Sequence, residues 1–132
     1  MIKAEEFRIG NKVLYKNNGR ISTVSLSLVH FEMIAKHGAN DFFPVLLKAE
    51  LLTQSGFIEN KDYALYPQAH EYSLQLAIPG LNKNELKAWI KSNGECFARA
   101  LVNDLAISAN VFHLHSLQNL YYALTAEELT VK

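Results

Sequence analysis

The sequence predicts a single α+β domain in which one antiparallel sheet is covered by a C-terminal helix. Three leucines near the C-terminus, Leu117, Leu120 and Leu124, recur at the spacing of one helical face. Alternating apolar and polar residues around Asn and Gly turns predict two β-hairpins and an added strand. No internal repeat or Ser/Pro-rich linker divides the 132 residues, so residues 1 to 132 are predicted to form one domain.

Residues 7 to 30 are predicted to form the first hairpin. Asn18-Gly19 favours a tight reversal because both residues tolerate positive φ. Gly10-Asn11 interrupts the first strand and indicates a turn or a bulge. Residues 30 to 37 have helical spacing in part, but their secondary structure stays open at this point.

The middle of the chain predicts two short helices that flank the sheet. The first covers residues 47 to 55 and ends before Gly56. The second covers residues 83 to 92, with Asn82 and Glu85 as a capping box. Leu86, Trp89 and Ile90 would form the apolar face of this second helix.

Strands are predicted on both sides of that second helix. Residues 62 to 66 and 71 to 78 precede it, and the latter alternate apolar with polar side chains. Residues 95 to 101 and 105 to 109 follow it as the second hairpin, which turns at Asn103-Asp104.

The C-terminal helix is predicted to begin at about Ser116. Tyr121 shares the leucine face, whereas Tyr122 lies about 100° away around the helix. Tyr122 must therefore meet a loop, another subunit or a flat ligand, and aromatic residues outside a core are enriched at interfaces. Thr125 to Glu128 matches a capping box, which predicts a break and a short final turn.

The composition narrows the classes of function. Thirteen basic and thirteen acidic residues balance, so no overall cationic field favours nucleic acid. The single cysteine, Cys96, excludes an internal disulfide. We expect no secretory signal at the N-terminus and no membrane span, because apolar runs fall short of about 20 residues. The expected location is the cytoplasm.

Three segments resemble small uncharacterised proteins of Bacteroides-type bacteria and their phages and prophages. They are Phe7 to Asn11, Pro44 to Phe57, and His115 to Leu129, the last with the pattern HxLQNLYxALTxEEL. Ala126 departs from the pattern, since such proteins often have Gly there. The resemblance implies a phage or mobile-element setting, which would place the protein in the host cytoplasm. It supplies no catalytic residues.

The candidate site residues lie on and around the C-terminal helix. Gln118 and Asn119 are amides beside its apolar face, and each could bind a ligand or fix a neighbouring backbone. The expected ligand- or partner-binding set is His115, Gln118, Asn119, Tyr122, Trp89, Arg8, Arg20 and Arg99. In the functional interpretation, the two amides form the polar floor of a pocket walled by Tyr121, Tyr122 and Trp89. For a nucleotide-like ligand, the tyrosines would stack on the base and Arg8, Arg20 or Arg99 would bind phosphate.

His113 and His115 form a His-x-His pair, which on a strand would point both imidazoles to one side. Two imidazoles could share a zinc or iron ion, but a metal site also needs further ligands. The structural alternative is that His115 caps the helix or forms a hydrogen bond at its start, while His113 packs at the sheet edge.

The preferred function is that of a non-enzymatic accessory binding protein without a cofactor. Its partner would be a host protein or a small nucleotide-like signal. One alternative is a metal-dependent hydrolase that uses His113 and His115. Another is a structural protein that assembles as a homo-oligomer through Tyr122.

Overall fold

The computed structural model describes residues 6–60, 70–78 and 83–132, and this part of the chain has the predicted α+β fold. The elements are β1 (Lys12–Asn17), β2 (Arg20–Ser25), α1 (Leu28–His37), β3 (Phe42–Phe43), α2 (Ala49–Gln54), β4 (Ile58–Asn60), β5 (His70–Gln75), β6 (Asn84–Ile90), β7 (Cys96–Val102), β8 (Leu105–Ala106) and α3 (Leu114–Thr125). The strands form two antiparallel sheets, ordered β2-β1-β3 and β4-β5-β6-β7-β8, where a single sheet was expected. The strand predicted at 62 to 66 and the cap predicted at Asn82 lie outside the described residues.

The first hairpin is confirmed over residues 12 to 25, whereas residues 28 to 30 of the predicted hairpin belong to α1. Its turn and bulge explain its shape. Asn18 and Gly19 have φ of 52° and 78°, as a two-residue type I′ turn requires. The Gly10 amide donates to Leu26 O at 2.8 Å, and the Leu26 amide donates to Asn11 O at 2.8 Å. Gly10 and Asn11 therefore lie opposite the single residue Leu26, which is a β-bulge with Gly10 at φ 94°.

The smaller sheet packs its inner face on α1. Phe7, Val13, Leu26, Ile34 and Phe42 form one buried cluster. The helix begins after Ser27, whose amide donates to His30 Nδ1 at 3.0 Å. Residues 30 to 37, whose secondary structure the sequence leaves open, are therefore helical, and the helix begins two residues earlier, at Leu28.

The helix predicted over residues 83 to 92 is wrong, because Asn84–Ile90 is the central strand β6. On one side of the larger sheet, Leu86 and Ala88 face the main core, the buried cluster that this sheet shares with α2 and α3. On the other side, Trp89 belongs to a separate cluster. Both faces are buried, so the apolar residues do not alternate and their spacing imitates a helix. The proposed capping role of Glu85 fails for the same reason.

The C-terminal helix α3 packs against the main core, as predicted. Leu114 and Leu117 are buried, and Leu120, Tyr121 and Leu124 pack as half-buried side chains on the same cluster. The short helix α2 is also confirmed, with Gly56 at φ 95° just beyond it. The second hairpin, β7–β8, is confirmed with a β8 of only two residues.

None of the helices in the described residues is both long and apolar enough to cross a lipid bilayer.

Candidate functional site

Arg8 connects the chain before β1 to the middle of α3 and to the segment that follows it. Its guanidinium donates two hydrogen bonds to the Glu128 carboxylate, one of them from Nη2 to Oε2 at 3.1 Å. Its Nε donates to Asn119 Oδ1 at 3.1 Å. The guanidinium carbon lies 4.3 Å from the centroid of the Tyr122 ring. Three predicted site residues, Arg8, Asn119 and Tyr122, therefore meet at one place.

The same N-terminal segment forms hydrogen bonds with the side-chain amides of Gln118 and Asn119 on α3. The Lys12 amide donates to Gln118 Oε1 at 2.8 Å. Asn11 Nδ2 donates to Asn119 Oδ1 at 2.8 Å, and Asn119 Nδ2 donates to Glu6 O at 2.9 Å. These bonds hold α3 in register against the bulge, which supports the structural alternative for Gln118 and Asn119. We call the contact between Glu6–Lys12 and these α3 side chains the α3 seam.

His115 lies buried at the start of α3, whereas His113 is its half-buried N-cap residue. The two rings are nearly parallel, at 6°, with centroids 5.8 Å apart. Glu6 Oε1 is 3.7 Å from His115 Nε2. Burial and the nearby His113 lower the pKa of His115. No group of three or more His, Cys, Asp or Glu side chains that could hold a metal occurs among the described residues.

Trp89 and Arg99 lie elsewhere, on the face of the larger sheet that points away from α3. Trp89 Nε1 donates to Glu71 Oε1 at 2.9 Å, and the Arg99 guanidinium carbon is 4.8 Å from the Trp89 ring centroid. Lys87 Nζ lies 3.8 Å from Glu71 Oε2, so the buried carboxylate is charge-compensated. The structure therefore does not bring Trp89 next to Tyr122 as a pocket wall.

The three arginines do not converge on one phosphate site. Arg20 is exposed at the turn end of β2, and Arg8 precedes the opposite end of the hairpin. Arg99 lies on β7, in the other sheet.

A groove of about 630 Å³ separates the outer face of the smaller sheet from α2. Its floor includes Leu114, the first residue of α3. Its lining residues are Lys12, Leu14, Thr23, Pro44, Val45, Leu46, Lys48, Leu51, Gln54, Leu114, Val131 and Lys132. The volume falls in the range of ligand pockets, roughly 300–1,000 Å³.

The groove combines apolar walls with positive charge. Among the described residues that line the groove, three are lysines and none is aspartate or glutamate. The whole chain has equal numbers of basic and acidic residues, so its composition does not reveal this local excess of positive charge. A concave apolar surface with a few charged groups is typical of binding sites.

Sequence reasoning missed this groove because its walls come from five stretches that are separated along the chain. One signal in the sequence points to the hairpin that forms one wall of the groove. From Phe7 to Phe31 the chain has four basic residues and no acidic one. A charge count by segment would have singled out the hairpin.

Cys96 is buried in β7, and burial raises the pKa of its thiol to about 11. The thiol is therefore protonated at neutral pH, which does not suit a nucleophile.

No protein-family model, curated protein or solved structure matches this chain.

Proposed function

We propose that this protein is a non-enzymatic accessory binding protein that holds a segment of a partner protein in the groove beside the start of α3. The observation that supports this proposal is the groove itself, with apolar walls and three lysines. The resemblance to small phage and prophage proteins adds the setting, in which the partner is a host protein.

The chemistry of the lining favours binding over catalysis. Among its described residues are lysine, threonine and glutamine, but no His, Asp, Glu or Cys. General acid–base catalysis at neutral pH most often uses His, Asp or Glu. Apolar walls beside the exposed Lys48 and Lys132 instead resemble the apolar centre and polar rim of protein interfaces.

The other functions have less support in the described residues. A nucleotide-like ligand at Arg8 and Tyr122 would have to displace Glu128 from the guanidinium. A metal-dependent hydrolase would need ligands beyond His113 and His115.

Site-specific photo-crosslinking in the cells that produce the protein tests the proposal. The photoreactive residue replaces Leu46, which is 67% exposed at the groove, or Ile58, which is 71% exposed on β4. We expect one discrete adduct at position 46 and none of the same mass at position 58. Mass spectrometry then identifies the partner, so that its binding can be measured with both purified proteins.

Two charge variants complete the test with the identified partner. Lys48→Glu places a negative charge in the groove and should weaken binding at least tenfold. Lys36 lies on α1, outside the groove, so Lys36→Glu should keep the dissociation constant within twofold of the unsubstituted protein's value. Identical adducts at positions 46 and 58, or equal affinities for the two variants, would contradict the proposal.

A further inference from the structure

The outer edge of β2 is open in the described part of the chain. β2 is the terminal strand of its sheet, and five of its six residues are exposed. The backbone of an edge strand offers a row of N–H and C=O groups to another strand.

The hydrogen bonds of the bulge determine which residues face that edge. Since the Leu26 amide bonds to Asn11 O, the alternation of an antiparallel pair makes Val13–Val24 and Tyr15–Ser22 the bonded pairs. The N–H and C=O groups of Ile21, Thr23 and Ser25 therefore point away from β1. The Lys16 amide follows the same alternation, because it donates to Asp41 O on the side of β1 away from β2.

This edge carries few of the features that protect edge strands. Its sequence, Arg-Ile-Ser-Thr-Val-Ser, has no proline and one charge, at its first residue. Ile, Thr and Val favour the strand conformation. Natural edge strands usually avoid pairing through prolines, charges, bulges or covering segments.

The charge around the edge identifies the chemistry of the added strand. Of the four basic residues between Phe7 and Phe31, Arg8 is paired with Glu128. Lys12, Lys16 and Arg20 remain on the hairpin. The register places Lys12 and Lys16 on the same sheet face as Thr23. Both lysines lie on β1, one strand in from the edge, and Lys12 Nζ reaches Ser25 Oγ on β2 at 3.4 Å. A second copy of this edge would add only basic side chains here, whereas carboxylates on the same face of an added strand would attract these long lysine side chains.

We infer that the partner adds an acidic β-strand to the outer edge of β2 and continues into the groove. The inference rests on the proposed function, because it needs a partner protein. Thr23 connects the edge of β2 with the groove, since its backbone N–H and C=O face the edge and its side chain lines the groove. Main-chain hydrogen bonds would provide affinity, and alternate side chains would provide specificity.

A capped seven-residue peptide that alternates glutamate with valine is a direct probe, and its lysine–valine counterpart is the control. We expect the glutamate peptide to bind and to lose affinity as the salt concentration rises. Amide hydrogens of Ile21, Thr23 and Ser25 should become protected from exchange when it binds. Equal binding of the lysine peptide, or protection confined to other segments, would overturn the inference.

Thr23→Pro and Thr23→Val form the matched pair of variants. Proline removes an N–H that points outward, so the hairpin loses no internal hydrogen bond, which the amide NMR spectrum can verify. The expected affinity loss is at least tenfold for Thr23→Pro and at most twofold for Thr23→Val. If Thr23→Pro does not fold, Lys16→Glu against Lys36→Glu takes its place, with the same expected contrast.

The partner identified by crosslinking separates this inference from the proposed function. If Lys48→Glu weakens its binding and Thr23→Pro does not, the edge inference fails while the groove proposal stands. If neither variant weakens it, both fail. A dimer of this chain that Thr23→Pro dissociates would also overturn the inference, because the occupant would then be a second copy.

Discussion

At the scale of single residues, His115 shows how burial makes one side chain sensitive to pH. The imidazole is 1% exposed and packs edge-on against the Phe7 ring, with centroids 5.8 Å apart. Burial, and then the proximity of His113, lower its pKa from the ordinary value of 6.5. The folded protein therefore binds this proton more weakly than the unfolded chain does.

This difference predicts that stability falls as the pH drops below 6.5. Above that pH His115 is neutral in both states, so its contribution is fully present. Below it the unfolded chain takes up the proton first, which favours unfolding. We expect the free energy of unfolding, measured by urea titration, to decrease between pH 7 and pH 5.5.

His115→Phe should flatten this decrease, because phenylalanine fills the buried site without titrating. His37→Gln is the control, since His37 is exposed at the end of α1. An unchanged pH slope in His115→Phe would show that another group is responsible.

At the scale of elements, the end of α3 contains a strained residue. Ala126 has φ 60° and ψ 17°, in the left-handed region, and its amide donates to Tyr122 O at 2.8 Å. A side chain with a Cβ is disfavoured there by roughly 1–2 kcal/mol. Glycine is the usual residue at such a helix end.

Ala126→Gly should therefore stabilise the protein, by about 0.5–1 kcal/mol after the extra backbone entropy of glycine is subtracted. Ala123→Gly is the matched control, because Ala123 is an exposed residue inside the same helix. There the same substitution should destabilise by about 1 kcal/mol. Urea unfolding of the two variants gives both values, and shifts of the same sign would refute the proposed strain.

The sequence predicts an element well when a single burial pattern determines it. The leucines of α3 face one core, so their spacing identifies the helix. β6 has two buried faces, and Glu71, a residue of another strand, accepts a hydrogen bond from Trp89 on one of them. Such a partner is distant in sequence, so local spacing alone assigned Leu86, Trp89 and Ile90 to a helix.

The candidate site was only partly predictable for a related reason. Arg8, Gln118 and Asn119 stood out as polar residues beside apolar ones, and the structure does bring them together. Their partners, Asn11 and Glu128, were recognised only as parts of a turn and of a capping box, which gave no sign of these contacts. The groove depends on how the sheet, α2 and α3 are arranged in space, and the sequence pattern did not give that arrangement.

At the scale of the whole molecule, the α3 seam joins two separately packed units. The smaller sheet has its own core with α1, and the larger sheet shares a second core with α2 and α3. Asn11 is fully buried between them and bonds to Asn119. The groove lies between the same two units, so its shape depends on the seam.

Gln118→Ala tests whether the seam couples the units. Gln118 is 2% exposed, and its loss deprives the Lys12 amide of its acceptor. The expected cost is about 1–3 kcal/mol, with the smaller unit affected most. Hydrogen exchange should accelerate more at Val13 than at Ala98, whereas Gln54→Ala, an exposed side chain on α2, should change neither. Equal acceleration at Val13 and Ala98 would instead mean that both cores unfold as one cooperative unit, in which case the groove could not change shape independently of the fold.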